Sequence, residues 1–335
     1  MARIAIDLHG GDFGPSIIIP SSFQFFRDNP QHYGVLIGDS RQYRHFVHQS
    51  PDNIEWIESE TLGDAAHKPS KLLRQEGFSS IEIAYKVLSR KDVDVLVSAE
   101  HTGVLMVLMA KYGAMHSLVE RPVLVSWVPA QSKKTLMLDL GASFNANHVQ
   151  LLTYAAIGAG LLQGLDQAPS LALLNVGTEY FKGPTELRLA HTRLEHWRRI
   201  DYRGFVEASD VFKGNLDIVV CDGFTGNSII KASEGAVNLV LDVIRDQFSK
   251  SWLARVAGWF LRSRLQFALR PLDPRNANGA LLAGSDLSVV KSHGNAGERA
   301  FMAALDQAVG LHGNRAVQSV WQALDRLLDE DLEAI

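Results

Sequence analysis

The sequence predicts a three-layer α/β/α fold built on a mostly parallel sheet. Short runs dense in Val, Ile and Leu alternate along the chain with longer amphipathic helical stretches, and strands buried on both faces read this way. Several of those runs also end in polar, glycine-rich segments where helices would begin, the pattern of βα junctions joined by right-handed crossovers. At 335 residues, 46% apolar and 21% charged, the composition is that of an ordinary globular protein. No internal repeat and no low-complexity linker divides it, so one α/β unit spans 1–335, either as a single body or as two intertwined lobes.

The first strand candidate, 3–8, runs into His9-Gly10-Gly11-Asp12-Phe13-Gly14, and Pro15 suits a first helical turn. The next is 34–37. Ser79-Ser80-Ile81-Glu82 has capping-box spacing ahead of Ala84, Val87 and Leu88 and predicts a helix. Strand 93–98 ends in Ala99-Glu100-His101-Thr102-Gly103, and strands at 122–127, 136–140 and 171–176 follow. Gly158-Ala159-Gly160 falls inside a helical pattern, which marks close helix packing rather than a dinucleotide loop. Strand 217–221 ends in Asp222-Gly223-Phe224-Thr225-Gly226-Asn227, after which Ile230, Ser233, Val237, Val240, Leu241 and Ile244 recur at helical spacing. The last strand, 287–291, ends in Ser292-His293-Gly294-Asn295-Ala296.

Open parallel sheets bind ligands at their strand ends. Four junctions here combine glycines, which let backbone approach an anion, with hydroxyl, amide or imidazole groups. Lys231 one turn into a helix, Lys291 at a strand end, and Lys182-Gly183 add cations. Together they predict an anion site in which Lys182, Lys231, Lys291 and His293 neutralise charge. Backbone N–H groups around Gly10, Gly11, Thr102, Gly103 and Gly226 would cradle the anion. Asp12 and Asp222 sit awkwardly beside an anion, so each caps a helix, orients a lysine or receives a proton.

Other classes fall away. A net charge of −4 argues against a general nucleic-acid binder. The single cysteine, Cys221, excludes a disulfide framework, and in its apolar run it reads as a buried small hydrophobe. His101 and His293 lack metal-ligand spacing, and neither G-x-x-x-x-G-K-[ST] nor G-x-S-x-G occurs. The sequence calls for no cofactor and no metal. The opening residues lack a signal-peptide pattern, and a cytoplasmic protein is expected.

One local feature stands apart. Between 250 and 275, Lys250, Arg255, Arg262, Arg264, Arg270 and Arg275 face one acid, Asp273, with Trp252, Trp259 and Phe260 among the interleaved apolar residues. Such a helix would lay its aromatic face on a lipid surface or bind an acidic protein; the same tryptophans would equally serve a core or a dimer contact.

The ordered set of motifs resembles the bacterial phosphate acyltransferases, which pass an acyl group from acyl-acyl-carrier protein to phosphate. It comprises Asp7-Leu8-His9-Gly10-Gly11-Asp12, Ser98 to Gly103, Leu138-Asp139-Leu140-Gly141-Ala142, Leu174 to Glu179 with Lys182-Gly183, Val220 to Asn227 through Lys231, and Lys291-Ser292-His293-Gly294. The resemblance implies a fold similar to the isopropylmalate dehydrogenases and phosphotransacetylases, a homodimer, and peripheral membrane contact through 250–275. It implies acyl-carrier protein and inorganic phosphate as partners, and a glycerol-phosphate acyltransferase consuming the acyl phosphate. It assigns Lys182, Asp222, Asn227, Lys231, Lys291 and His293 to catalysis, Asn227 at the oxyanion. Gly10, Gly11, Asp12, Thr102, Gly103, Gly141, Gly223, Gly226 and Gly294 go to substrate binding, and Trp252, Arg255, Trp259, Phe260, Arg262 and Arg264 to membrane or carrier contact. Where the family reads Gly-Asn, this chain has Glu100-His101. Transfer between acyl-CoA and phosphate, and a non-catalytic paralogue that binds carrier or membrane, stand as alternatives.

Overall fold

A computed structural model describes residues 1–59, 79–163, 167–252, 264, 278–313 and 315–331. Its strands are β1 (Arg3–Asp7), β2 (Tyr33–Gly38), β3 (Ile54–Glu58), β4 (Val95–Ser98), β5 (Val123–Val128), β6 (Thr135–Leu138), β7 (Ser170–Leu174), β8 (Asp201–Val206), β9 (Ile218–Val220), β10 (Ala280–Ala283) and β11 (Val289–Lys291). Its helices are α1 (Pro15–Asp28), α2 (Arg44–Val47), α3 (Ser80–Ser89), α4 (Thr102–Tyr112), α5 (His148–Leu161), α6 (Thr185–Leu194), α7 (Gly223–Ser249), α8 (Glu298–Gly313) and α9 (Ala316–Asp331). A 3-10 turn covers Asp210–Lys213.

Every predicted strand is present, and β3, β8 and β10 are additional. β3 and β8 are the two edges of the sheet, half exposed, so polar residues break their apolar runs. β10 is only four residues long. The expected capping box at Ser79 is half formed. Its hydroxyl accepts from the Glu82 N–H and donates to the Glu82 carboxylate, so the carboxylate meets the hydroxyl instead of the Ser79 amide.

One sheet carries all eleven strands, in the order β3-β2-β1-β4-β11-β10-β5-β6-β9-β7-β8. Among the described residues seven of its ten pairings are parallel, and the three antiparallel ones, β11-β10, β10-β5 and β5-β6, lie together at the centre. Three reversals turn the β6-β9-β7-β8 half upside down relative to the β3-β2-β1-β4-β11 half. The glycine-rich strand ends therefore do not share one edge. Those after β1, β4 and β11 lie at one edge, and those after β6 and β9 at the other.

One face of the sheet packs under α3, α4 and the start of α7. The opposite face is covered by α1 and α8 over the first half and by α5, α6 and α9 over the second. The glycines of α5 pack closely, as expected: a Cβ on Gly160 would lie 2.7 Å from the Val320 Cα of α9.

Candidate active site

A cavity of about 570 Å³ opens on the face of β5. It runs from Leu140 and Gly141, after β6, to Lys291 and His293 at the end of β11, with α7 across it. The strand register explains how opposite sheet edges meet here. Lys291 pairs with Ala280, and Leu281 pairs with Val125, so Lys291 lies level with Ser126 in the middle of β5. From Gly223 to Glu234, α7 rises about 16 Å, more than the roughly 13 Å length of a four-residue strand. It thus starts in one half of the sheet and delivers Lys231 and Glu234 to the other.

The start of α7 is fixed by a buried carboxylate. Asp139 follows β6, is fully buried, and accepts from the N–H groups of Leu124, Gly141, Ala142 and Ser143 and from the Ser143 hydroxyl. Ser143 Oγ in turn accepts from the Gly223 N–H at 3.0 Å, so Asp139 reaches the first residue of α7 through one hydroxyl. Burial pushes the Asp139 carboxyl up, and the donated hydrogen bonds oppose it. Gly226 lies against the Asp139 carbonyl, and the Cys221 thiol donates to that same oxygen at 3.4 Å. Burial pushes this thiol well above its ordinary range, leaving Cys221 inert packing.

A second buried carboxylate holds the other end. Asp7 accepts from the hydroxyls of Ser80 and Ser98, and Ser98 accepts from the Glu100 N–H. Gly11, at φ 80°, brings the β1 loop onto the β4 and β11 loops, where the Asp12 N–H donates to the Gly294 carbonyl at 2.7 Å. Asn278, buried behind β11, accepts from the His293 N–H and donates to Ser292 Oγ.

Six residues expected at the site line the cavity: Thr102, Gly141, Asn227, Lys231, Lys291 and His293. Others are engaged elsewhere. Asp222 caps α7, accepting from the Thr225 N–H and hydroxyl rather than orienting a lysine. The Gly223 and Gly226 N–H groups donate to Ser143 and to the Asp222 carbonyl, so they hold the helix start and are not free to cradle an anion. Lys182 pairs with Glu179 at 2.8 Å and is not among the described lining residues. Gly10, Gly11, Asp12, Gly103 and Gly294 shape the loops beside the cavity without lining it. Trp252 and Arg264 are exposed, while Arg255, Trp259, Phe260 and Arg262 lie outside the described residues.

Sequence reasoning passed over Glu234 and the apolar wall made by Leu124, Trp127, Val128, Pro129, Phe212 and Val237. A signal for Glu234 was available, since it falls one helical turn after Lys231 and so shares its face. Glu234 Oε2 lies 3.4 Å from Lys231 Nζ, and Oε1 lies 4.0 Å from His293 Nε2. Burial and then Lys231 lower the Lys291 ammonium from its ordinary range, with Glu100 acting the other way. Burial, then Lys291 and Lys231, likewise hold His293 below 6.5, opposed by Glu234. The downward shift favours the uncharged imidazole as a hydrogen-bonding group over the cation expected from residue type.

NMR titration of the His293 ring should give a midpoint below 6.5, and Lys291→Ala should raise it by removing a positive neighbour; a parent midpoint at or above 6.5 refutes this electrostatic picture. Because the unfolded chain binds this proton more readily, His293 costs stability as pH falls from about 6.5 toward its lowered folded value, and costs nothing further above that window.

The layered sheet and its central cleft define the class of α/β proteins that includes phosphotransacetylases. EutD phosphotransacetylase from Staphylococcus aureus matches with a TM-score of 0.55 over 96% of this chain and 94% of its own, at 12% identity, a likeness of fold alone. Within that class the chain belongs to the fatty acid synthesis protein family, whose model matches residues 2–319. It is 35% identical over 310 residues to a phosphate acyltransferase of Stutzerimonas stutzeri, covering 91% of this chain and 87% of that one. It is 34% identical over 337 residues to a phosphate acyltransferase of Legionella pneumophila strain Paris, covering 98% of each.

Proposed function

We propose that the chain is a phosphate acyltransferase that moves a fatty acyl group from the thioester of acyl-acyl-carrier protein to inorganic phosphate. The observation that carries this reading is one cavity holding Lys231, Lys291 and His293 beside an apolar wall along β5, a place for a phosphate next to a place for an acyl chain. The names of the curated relatives support it.

A phosphate oxygen attacks the thioester carbonyl carbon, the tetrahedral oxyanion collapses, and the C–S bond breaks. The proton of HPO₄²⁻ ends on the departing sulfur, so thioester and phosphate give acyl phosphate and free thiol with no net proton change. With a thiol pKa of about 8.5 the leaving group needs little acid assistance. The residues act by holding charge in place. Lys231 and Lys291 bind the phosphate, neutral His293 donates or accepts a hydrogen bond, and Asn227 and the Thr102 turn at the start of α4 lie where the oxyanion forms. The enzyme works in the cytoplasm as a homodimer in peripheral contact with the membrane, and a glycerol-phosphate acyltransferase takes its product. Among the described residues no helix is long and apolar enough to cross a membrane.

Purified protein incubated with palmitoyl-acyl-carrier protein and phosphate should release free thiol and acyl phosphate, both read by mass spectrometry and both dependent on phosphate. Neither product from a folded protein would overturn the reading. Activity confined to palmitoyl-CoA in a parallel reaction would replace the carrier protein as donor.

A further inference from the structure

We propose that the Glu234 carboxylate competes with phosphate for Lys231 and His293 and so sets how weakly the site holds the dianion. This deepens the phosphate-transfer reading and rests on it. Glu234 lines the same cavity as Lys231, Lys291 and His293, and its side chain is 25% exposed. Its two oxygens are divided between two of those groups, Oε2 at 3.4 Å from Lys231 Nζ and Oε1 at 4.0 Å from His293 Nε2.

A carboxylate and a phosphate offer the same acceptor oxygens to the same donors, and their charges repel across a partly buried space. Phosphate entering between Lys231 and Lys291 must share Lys231 with Glu234 or displace it. The other nearby carboxylate is differently placed: Glu100 accepts from the His101 N–H at 2.8 Å and is not among the described lining residues. The acyl phosphate product carries the same phosphoryl oxygens as the substrate. A site that bound them without opposition would hold the product as firmly as it held phosphate, so an internal competitor favours release.

The alternative is that Glu234 only steadies Lys231, in which case removing its charge weakens phosphate binding. Titration calorimetry with inorganic phosphate separates the two. For Glu234→Gln, and for Glu234→Ala, which leaves no amide behind, the Kd is expected to fall about five- to tenfold, and the gap from the parent to narrow in high salt. An unchanged or higher Kd in both variants overturns the competitor role. Lys291→Ala serves as the control. If it loses phosphate affinity while the Glu234 variants do not gain any, the competitor fails and the site stands; if it keeps full affinity, the site reading itself fails.

Discussion

Lys291→Ala is expected to lower kcat/KM for phosphate by about 10²- to 10³-fold, the usual cost of removing one preorganised charged or oxyanion-stabilising group. Lys291 ends β11 inside the cavity, and among the described residues its ammonium has one weak hydrogen bond, to the Ser292 carbonyl at 3.4 Å. Its charge is thus available to a bound anion. The same variant should fold at least as stably as the parent, because burial and Lys231 already make the Lys291 charge costly. The sign follows from linkage. Its lowered folded pKa means the unfolded chain binds the proton more tightly, so parent stability rises with pH through that window, and the variant loses this dependence. Steady-state kinetics with phosphate varied, beside urea unfolding at two pH values, check both halves. Full turnover in a folded variant would remove Lys291 from the site.

Gly226→Ala is expected to destabilise the fold by about 3 kcal/mol or more. A Cβ at this position would lie 1.9 Å from the Asp139 carbonyl oxygen. That oxygen cannot retreat, because the Asp139 side chain is held by four backbone N–H groups and a hydroxyl. The usual effect of this substitution inside a helix is the reverse, a gain of roughly 1 kcal/mol from propensity. Gly235, two and a half turns further along α7, supplies the comparison: among the described residues nothing lies within 4 Å of a Cβ there, so Gly235→Ala should stabilise. Opposite shifts of the two urea midpoints are the expected result, and equal shifts would show that the helix start is not pinned to Asp139.

The layered class and eight of the eleven strands were legible in the sequence because burial on both faces leaves a pattern that composition alone can carry, whereas the equally apolar β10 was passed over. The edges β3 and β8 were not legible, since Ile54-Glu55-Trp56-Ile57-Glu58 and Asp201-Tyr202-Arg203-Gly204-Phe205-Val206 mix exposed polar residues into their runs. Strand direction was not legible either. Nothing local in Ala280-Leu281-Leu282-Ala283 says that it runs against both neighbours, and that reversal decides which loops meet. Lys231 and Lys291, picked out by type and position, meet in one cavity, yet Lys182 shows the limit. A lysine beside a glycine after a strand looks the same whether it faces a cavity or a neighbouring glutamate. Asp139 was visible as part of a motif, but its work, gathering amides from β5 and from the 141–143 turn and reaching α7 through the Ser143 hydroxyl, belongs to the folded chain.

The middle of the sheet has a further consequence for how the chain comes to be folded on the ribosome. β10 and β11, which stand between β4 and β5, are among the last strands to be synthesised. Until residues 280–291 emerge, β4 and β5 each present a bare hydrogen-bonding edge, with no strand between them. The two halves can collapse separately, but the seam between them is sewn from the end of the chain, a non-local closure of the slow-folding kind. A nascent chain stalled before that point exposes the apolar, edge-like strands that invite pairing with other chains, and it lacks the lysine on which the chemistry is proposed to depend. Vectorial synthesis therefore couples completion of the sheet to completion of the active site.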